Sequence, residues 1–277
     1  MLAMCWRLLN SDMKKRGGER VTGRRGDSRN HPVSGSPPLP LSELRILLWD
    51  LDGTLVRGQR YGVFKDYTVP MLTRVFGTAG SLDGMMVSGM TDLQIVEEAL
   101  RSAGITREQI IARKDELLSC YVEEMKRATG NGAHLVEAIP GGREVLQRVA
   151  SHPRYVSALL TGNIEPAAYL KLELAGLSEF FQLPGAFGDS SFDRRDLPAI
   201  AAERINEHLG AELQPEQFIV IGDTPNDIAC ARHFGARVLA VASGRMHSAE
   251  DLLAHEPDAL VPDLLDVELV MQTLAEM

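Results

Sequence analysis

Short, continuous apolar runs alternate with stretches of helical spacing along most of the chain. The runs lie at 45–51 (RILLWDL), 155–161 (YVSALLT), 218–223 (FIVIGD), 237–243 (RVLAVAS) and, more weakly, 259–261. An apolar run without polar alternation predicts a strand buried on both faces, and such strands alternating with helices predict a parallel sheet covered on both sides. The helical stretches fall at 142–151, 166–175, 196–209, 227–234, 249–254 and 266–275. Pro166 suits the first turn of its helix, and Gly176 and Gly235 stand where helices should stop.

One interval breaks the alternation. Between about residues 58 and 138 no strong strand pattern occurs, and helical signals take its place at 67–76, 92–103 and 107–128. In "TDLQIVEEALRSAG" the apolar residues Leu93, Val96, Leu100 and Ala103 recur at helical spacing. About 80 mostly helical residues exceed any plain crossover connection. The interval reads as an inserted helical domain, with 56–62 and 137–142 as hinge strands. The predicted organisation is an extension at 1–43, an α/β core at 44–57 and 139–277, and the helical insertion at 58–138.

Charge sharpens the division. Residues 1–42 hold eight Lys/Arg and three Asp/Glu, net +5; the rest of the chain holds 21 and 35, net −14. An acidic body argues against nucleic acid as a main partner. The extension is rich in Gly, Arg, Ser and Pro, and "HPVSGSPPLP" supports neither helix nor central strand. It is expected to be disordered, and it lacks the long apolar segment of a secretory signal. Three distant cysteines, Cys5, Cys120 and Cys230, support neither a disulfide framework nor a zinc site, and a reducing cytosol is the expected setting. Cys230 is expected in the core. The histidines show no ligand spacing, and no apolar run approaches the ~20 residues needed to span a bilayer.

The strand ends bear the chemistry. Asp is a poor strand residue, yet 45–51 runs straight into Asp50 and Asp52, followed by Gly-Thr. Asp223 ends "FIVIGD", Asp227 follows four residues later at the mouth of the next helix, and Thr161 and Asn163 end "YVSALLTGN". Ligands of open parallel sheets lie beyond the carboxyl ends of the strands. Asp50, Asp52, Asp223 and Asp227 therefore converge on one sheet edge, where their charges would repel one another. A hard divalent cation offsets this, and Mg²⁺ prefers a few carboxylates, water and phosphate oxygens. The edge reads as a metal and phosphate site.

The ordered set "WDLDGTL", "LLTGN" and "VIGDTPNDI" resembles the first, second and fourth motifs of the haloacid dehalogenase superfamily of hydrolases. The resemblance covers residue 44 to the C-terminus. It implies a Rossmann-like parallel sheet core, with the helical insertion as a cap of the C1 type. "GMTDLQIVEEAL" is similar to the cap segment of phosphoglycolate-phosphatase-like members. By this resemblance Asp50 is the nucleophile, forming an aspartyl-phosphate, and Asp52 the general acid and base. Asp50, the Asp52 backbone carbonyl and Asp223 bind Mg²⁺, with Asp227 a further ligand or a holder of one. Thr161, Gly162 and Asn163 meet the phosphate. The third motif normally supplies a Lys; here "GDSSFDRRDLPAIAAER" has none, so Arg194 or Arg195 must supply the charge, and Arg194 is preferred. Relatives often have a basic residue where this chain has Met90, which weakens the case for an anionic substrate tail. Arg57 and Arg60 are the alternatives for meeting such an anion.

The expected function is a Mg²⁺-dependent phosphatase acting on a small phosphorylated metabolite. A phosphomutase is the alternative; a dehalogenase on the same fold is disfavoured by Asp52 and Asp223. A cytoplasmic monomer or homodimer is expected, with no membrane or nucleic-acid partner.

Overall fold

The computed structural model describes residues 40–60, 62–130 and 136–277. The basic extension expected at 1–43 lies outside the described residues up to 39. Residues Leu41–Glu43 form a 3-10 turn, and the Leu41 carbonyl accepts a hydrogen bond from Gln217 Nε2 at 2.8 Å.

Five parallel strands build the core: β1 (Arg45–Trp49), β4 (Tyr155–Leu159), β5 (Phe218–Gly222), β6 (Arg237–Val241) and β7 (Ala259–Val261). Their spatial order is β4-β1-β5-β6-β7. β1 thus lies between β4 and β5, with Trp49 in register with Leu159 on one side and Ile221 on the other. These strands are buried on both faces, as their unbroken apolar runs require. Leu47, Trp49, Ile219 and Ile221 face one apolar layer; Ile46, Leu48, Phe218 and Val220 face the other. The indole of Trp49 donates to Ser157 Oγ at 3.1 Å, so this buried N–H is satisfied.

Six helices cover the sheet: α5 (Gly142–Ser151), α6 (Glu165–Ala175), α7 (Leu197–Leu209), α8 (Pro225–Phe234), α9 (Ala249–Leu253) and α10 (Val267–Glu276). Gly176 and Gly235 end α6 and α8. The chain leaves and re-enters the core through an antiparallel pair, β2 (Val56–Gly58) and β3 (Val136–Ala138), across which Arg57 pairs with Glu137 at 2.8 Å. Between them lie α1 (Lys65–Phe76), α2 (Asp92–Arg101), α3 (Arg107–Ala112) and α4 (Lys114–Gly130). This is a helical cap inserted in an α/β core. Its interior gathers Met71, Leu72, Val96, Leu100 and Met125 and continues onto Ile164 and Ala167 of the core.

One cap element departs from the sequence pattern. The continuous helix expected at 107–128 is broken at Arg113, whose backbone (φ −113°, ψ 16°) leaves the helical region. The Arg113 guanidinium donates to the Val75 carbonyl at the end of α1 and pairs with Glu116. Apolar spacing continues through the break, so periodicity alone could not reveal it.

Candidate active site

Asp50 follows the last residue of β1, and its backbone N–H still donates to Ile221 O at 2.8 Å, which holds the carboxylate at the sheet edge. Asp223 follows β5. Gly53, two residues before the turn closes, is needed for two reasons: its φ is +97°, and a Cβ there would lie 2.2 Å from Asp223 Oδ2. Thr54 Oγ1 donates to Asp223 Oδ1 at 3.3 Å. The Gly-Thr after Asp52 therefore serves a carboxylate on another strand.

Asp50, Asp223 and Asp227 are all buried, and each offers a carboxylate oxygen within 4.8 Å of the others. Asp227 lies on the first turn of α8, where Thr224 N and Oγ1 donate to its Oδ2 at 3.0 and 2.7 Å. Arg194 Nη2 bridges Asp50 Oδ1 at 2.7 Å and Asp227 Oδ1 at 2.5 Å. Burial, and then the Asp227 charge, push the Asp50 carboxyl up to about 7 against the pull of Arg194. Burial and the neighbouring Asp50 and Asp227 push Asp223 well above the usual carboxylate range.

Arg194 and Arg195 sit on a short 3-10 turn ahead of α7. Asp193 Oδ1 accepts the Arg195 N–H at 2.9 Å and so shapes the turn. Arg194 points inward and is buried; Arg195 is exposed and pairs with Asp193. Arg194 Nε is buried and has no hydrogen-bond partner among the described residues.

Asp52 stands apart from the three buried carboxylates. Its Oδ2 accepts from Asn163 Nδ2 at 2.6 Å and from Lys171 Nζ at 2.5 Å. Lys171 also donates to Asn163 Oδ1 at 2.6 Å. Both amide hydrogens of Asn163 are taken, by Asp52 and by Thr161 Oγ1 at 2.8 Å. The Asn163 side chain therefore organises the loop. Thr161 Oγ1 accepts from Asn163 N and Nδ2, which leaves its own hydrogen free to donate. Burial opposes the Lys171 charge, but Asp52, Tyr67 and Asp92 outweigh it and hold the ammonium above the usual lysine range. Sequence reasoning missed Lys171. The available signal was a Lys on the otherwise apolar face of a helix, between the buried Ala167, Ala168 and Leu172.

The cap presses on this loop. A Cβ on Gly162 would lie 2.0 Å from the Met90 carbonyl oxygen and 3.2 Å from Arg194 Nη1. Asp92 N donates to Gly162 O at 2.7 Å, and Ile164 N returns a bond to Asp92 Oδ2 at 2.8 Å. Burial raises the Asp92 carboxyl to about 6 against that backbone bond. Between cap and core lies a cavity of about 400 Å³, walled by Tyr67, Met85, Val87, Met90 and Tyr121 and opening onto Asp50 and Asp52. Arg57 and Arg60 line it too, already paired with Glu137 and Asp66.

The donor set suits a hard divalent cation. Four carboxylates face two protein cations, Arg194 and Lys171, and the pairs at Asp50, Asp52 and Asp227 leave Asp223 without a salt bridge among the described residues. All-oxygen donors with that residual negative charge favour Mg²⁺ over softer metals. No described helix is long and apolar enough to cross a membrane.

Residues 195–267 match the HAD-hydrolase-like family model. A phosphoglycolate phosphatase from Vibrio vulnificus is 26% identical over 241 residues, covering 82% of this chain and 97% of the relative. One from Nitrosococcus oceani is 24% identical over 247 residues, covering 85% and 100%. Among solved structures, a predicted phosphatase from Clostridium acetobutylicum superposes with a TM-score of 0.58 at 17% identity, covering 84% of this chain and 99% of that one. A predicted phosphoglycolate phosphatase from Haemophilus somnus gives 0.55 at 20% identity, covering 84% and 100%. Sheet order, inserted helical cap, carboxylate group and matched segment together make this chain an enzyme with the haloacid dehalogenase hydrolase fold.

Proposed function

We propose that the protein is a Mg²⁺-dependent phosphatase that hydrolyses a small phosphomonoester through an aspartyl-phosphate on Asp50. The observation that carries this reading is the convergence of Asp50 and Asp223 from adjoining strand ends with Asp227 from the start of α8 and Arg194 from the turn before α7, beside the cavity between cap and core. Asp50 and Asp223, with the Asp52 backbone carbonyl, would hold Mg²⁺, and Asp227 would steady Arg194 beside them. The ion, when bound, supplies positive charge that offsets the carboxylates and the phosphoryl oxygens.

Asp50 Oδ1 is held by Arg194, while Oδ2 accepts no protein hydrogen bond among the described residues and is the atom we assign to attack. In the first displacement an Asp50 lone pair forms the bond to phosphorus. The bond to the ester oxygen breaks, and Asp52 gives that oxygen a proton. In the second, Asp52 takes a proton from water, the water oxygen bonds to phosphorus, and Asp50 leaves as carboxylate. Two easier displacements replace one. Arg194 and the Thr161 hydroxyl bind the phosphoryl oxygens, and the cap, proposed as residues 58–138, shields the site from bulk water.

Arg57 and Arg60 in the cavity wall are already paired, whereas Arg245 there has no carboxylate partner among the described residues, so phosphomonoesters with anionic and with neutral bodies both belong in the comparison. Phosphoglycolate, the substrate named for two relatives, is the reference compound against which others are compared. The test is phosphate release from a panel of phosphomonoesters with and without Mg²⁺, for wild type and Asp50→Asn. We expect Mg²⁺-dependent release that the variant loses while keeping its fold. Retention of more than about a tenth of the activity, with deamidation excluded, overturns covalent catalysis by Asp50, since losing a nucleophile should cost far more. Isomerised substrate without phosphate release would favour the phosphomutase.

A further inference from the structure

A lysine buried in an apolar helix face is costly unless its charge is met, and Lys171 is met in an uneven way. Its side chain is 6% exposed, whereas that of its partner Asp52 is 45% exposed. Here the lysine is enclosed and the carboxylate reaches into the cavity. Moreover, Lys171 Nζ and Asn163 Nδ2 converge on the same oxygen, Asp52 Oδ2, at 2.5 and 2.6 Å. Lys171 closes the triangle on Asn163 Oδ1 at 2.6 Å. A carboxylate gripped by two donors through one oxygen cannot turn about its terminal torsion without breaking both bonds. Oδ1, which accepts no protein hydrogen bond among the described residues, is left to the cavity.

We propose that Lys171 is a positioning residue: with Asn163 it locks Asp52 by Oδ2 and so selects Oδ1 as the atom that exchanges the proton with the leaving oxygen and with water. This rests on the phosphatase reading above. The proton itself moves only between Asp52 Oδ1 and substrate or water; Lys171 keeps its own. α6 makes the lock part of the core. Asn163 ends the β4 loop, and Lys171 stands eight residues on, about two helical turns into the apolar face that Ala168 and Leu172 anchor.

A double-mutant cycle on Lys171 and Asp52 tests the assignment. Lys171→Met, Asp52→Asn and the double variant are compared in single-turnover transfer, with one alkyl phosphate and one aryl phosphate, alongside KM, kcat and thermal melts. General acid catalysis is worth roughly 10²–10⁴-fold, and a loosened acid should forfeit about 10–100-fold of it. Lys171→Met should therefore lower kcat on the alkyl ester by about 10–100-fold and leave KM within about twofold. The aryl ester, whose oxygen departs without help, should lose much less. In the Asp52→Asn background, adding Lys171→Met should change the rate by less than about threefold, because the group it positions is gone. If Lys171→Met does not fold, Lys171→Gln, which keeps a polar tip, takes its place in the cycle. A raised KM with unchanged kcat would make Lys171 a substrate contact instead. Equal losses on both esters, or the same loss with and without Asp52, would also overturn the assignment. Failure of the parent reading looks different: wild-type enzyme inert toward both esters in the presence of Mg²⁺.

Discussion

Arg194 does with one nitrogen what the site requires of a point charge. Nη2 bridges Asp50 and Asp227, while Nε is buried without a hydrogen-bond partner among the described residues. The fork geometry that usually distinguishes Arg from Lys is therefore only partly used toward protein. Removing the side chain leaves Asp50 and Asp227 without their shared cation in a buried setting, and takes away the donor proposed for the transferring phosphoryl group. Arg194→Ala should lower kcat by about 10²–10³-fold, the scale of losing one preorganised donor. Arg194→Lys should recover a substantial part, since an ammonium can still bridge two carboxylate oxygens. Arg195→Ala should behave as wild type, because Arg195 is exposed and meets only its neighbour Asp193. Steady-state kinetics of the three variants with Mg²⁺ decide this. An Arg195→Ala loss as large as that of Arg194→Ala would move the role to the outer arginine.

At the scale of elements, the site depends on a cap loop lying almost in contact with a core loop. Gly162 has no room for a side chain, because the Met90 carbonyl occupies the position of its Cβ within 2.0 Å, and both partners there are backbone. Gly162→Ala should push the Met90–Asp92 segment off the core and strain the Asp92 N to Gly162 O bond, at a cost of about 1–3 kcal/mol, as for other overpacked sites. A lower Tm and a fall in kcat/KM larger than the stability loss explains are expected; unchanged values of both would show that the cap does not dock this way in solution. Much of this level is legible in the sequence. Strand runs ending in Asp50 and Asp223, and the amphipathic spacing of α2, announce themselves through burial alone. Lys171 and the break at Arg113 do not. The buried lysine meets Asp52, 119 residues away along the chain, and Arg113 at the helix break reaches the Val75 carbonyl 38 residues away. Local pattern reports what an element buries, and these features depend on what it meets.

The whole molecule balances charge at one edge of its sheet, and that balance predicts how stability responds to pH and to metal. Asp50 stands at about 7 and Asp223 well above the usual carboxylate range, both raised by burial and by neighbouring carboxylates. A carboxyl whose folded value lies above its unfolded value near 4 favours the folded state fully at low pH and loses that contribution as pH rises through the folded value. The metal-free protein should therefore lose stability as pH rises from about 4 to about 7 through Asp50, with Asp223 contributing in the same direction. Mg²⁺ needs the ionised forms, so its binding competes with protons. At pH 5.5 it should raise Tm little. At pH 8, at a concentration a hundredfold above its Kd, it should add about 2.7 kcal/mol, or about 5–10 °C for a chain of this size. Asp223→Asn removes both the repulsion and a proposed ligand. It should raise the metal-free Tm at pH 8 and abolish most of the Mg²⁺ increment. Melts in EDTA and in Mg²⁺ at both pH values test all four statements together. A Mg²⁺ increment that is the same at pH 5.5 and pH 8, or one that survives Asp223→Asn, would place the ion somewhere other than this carboxylate group.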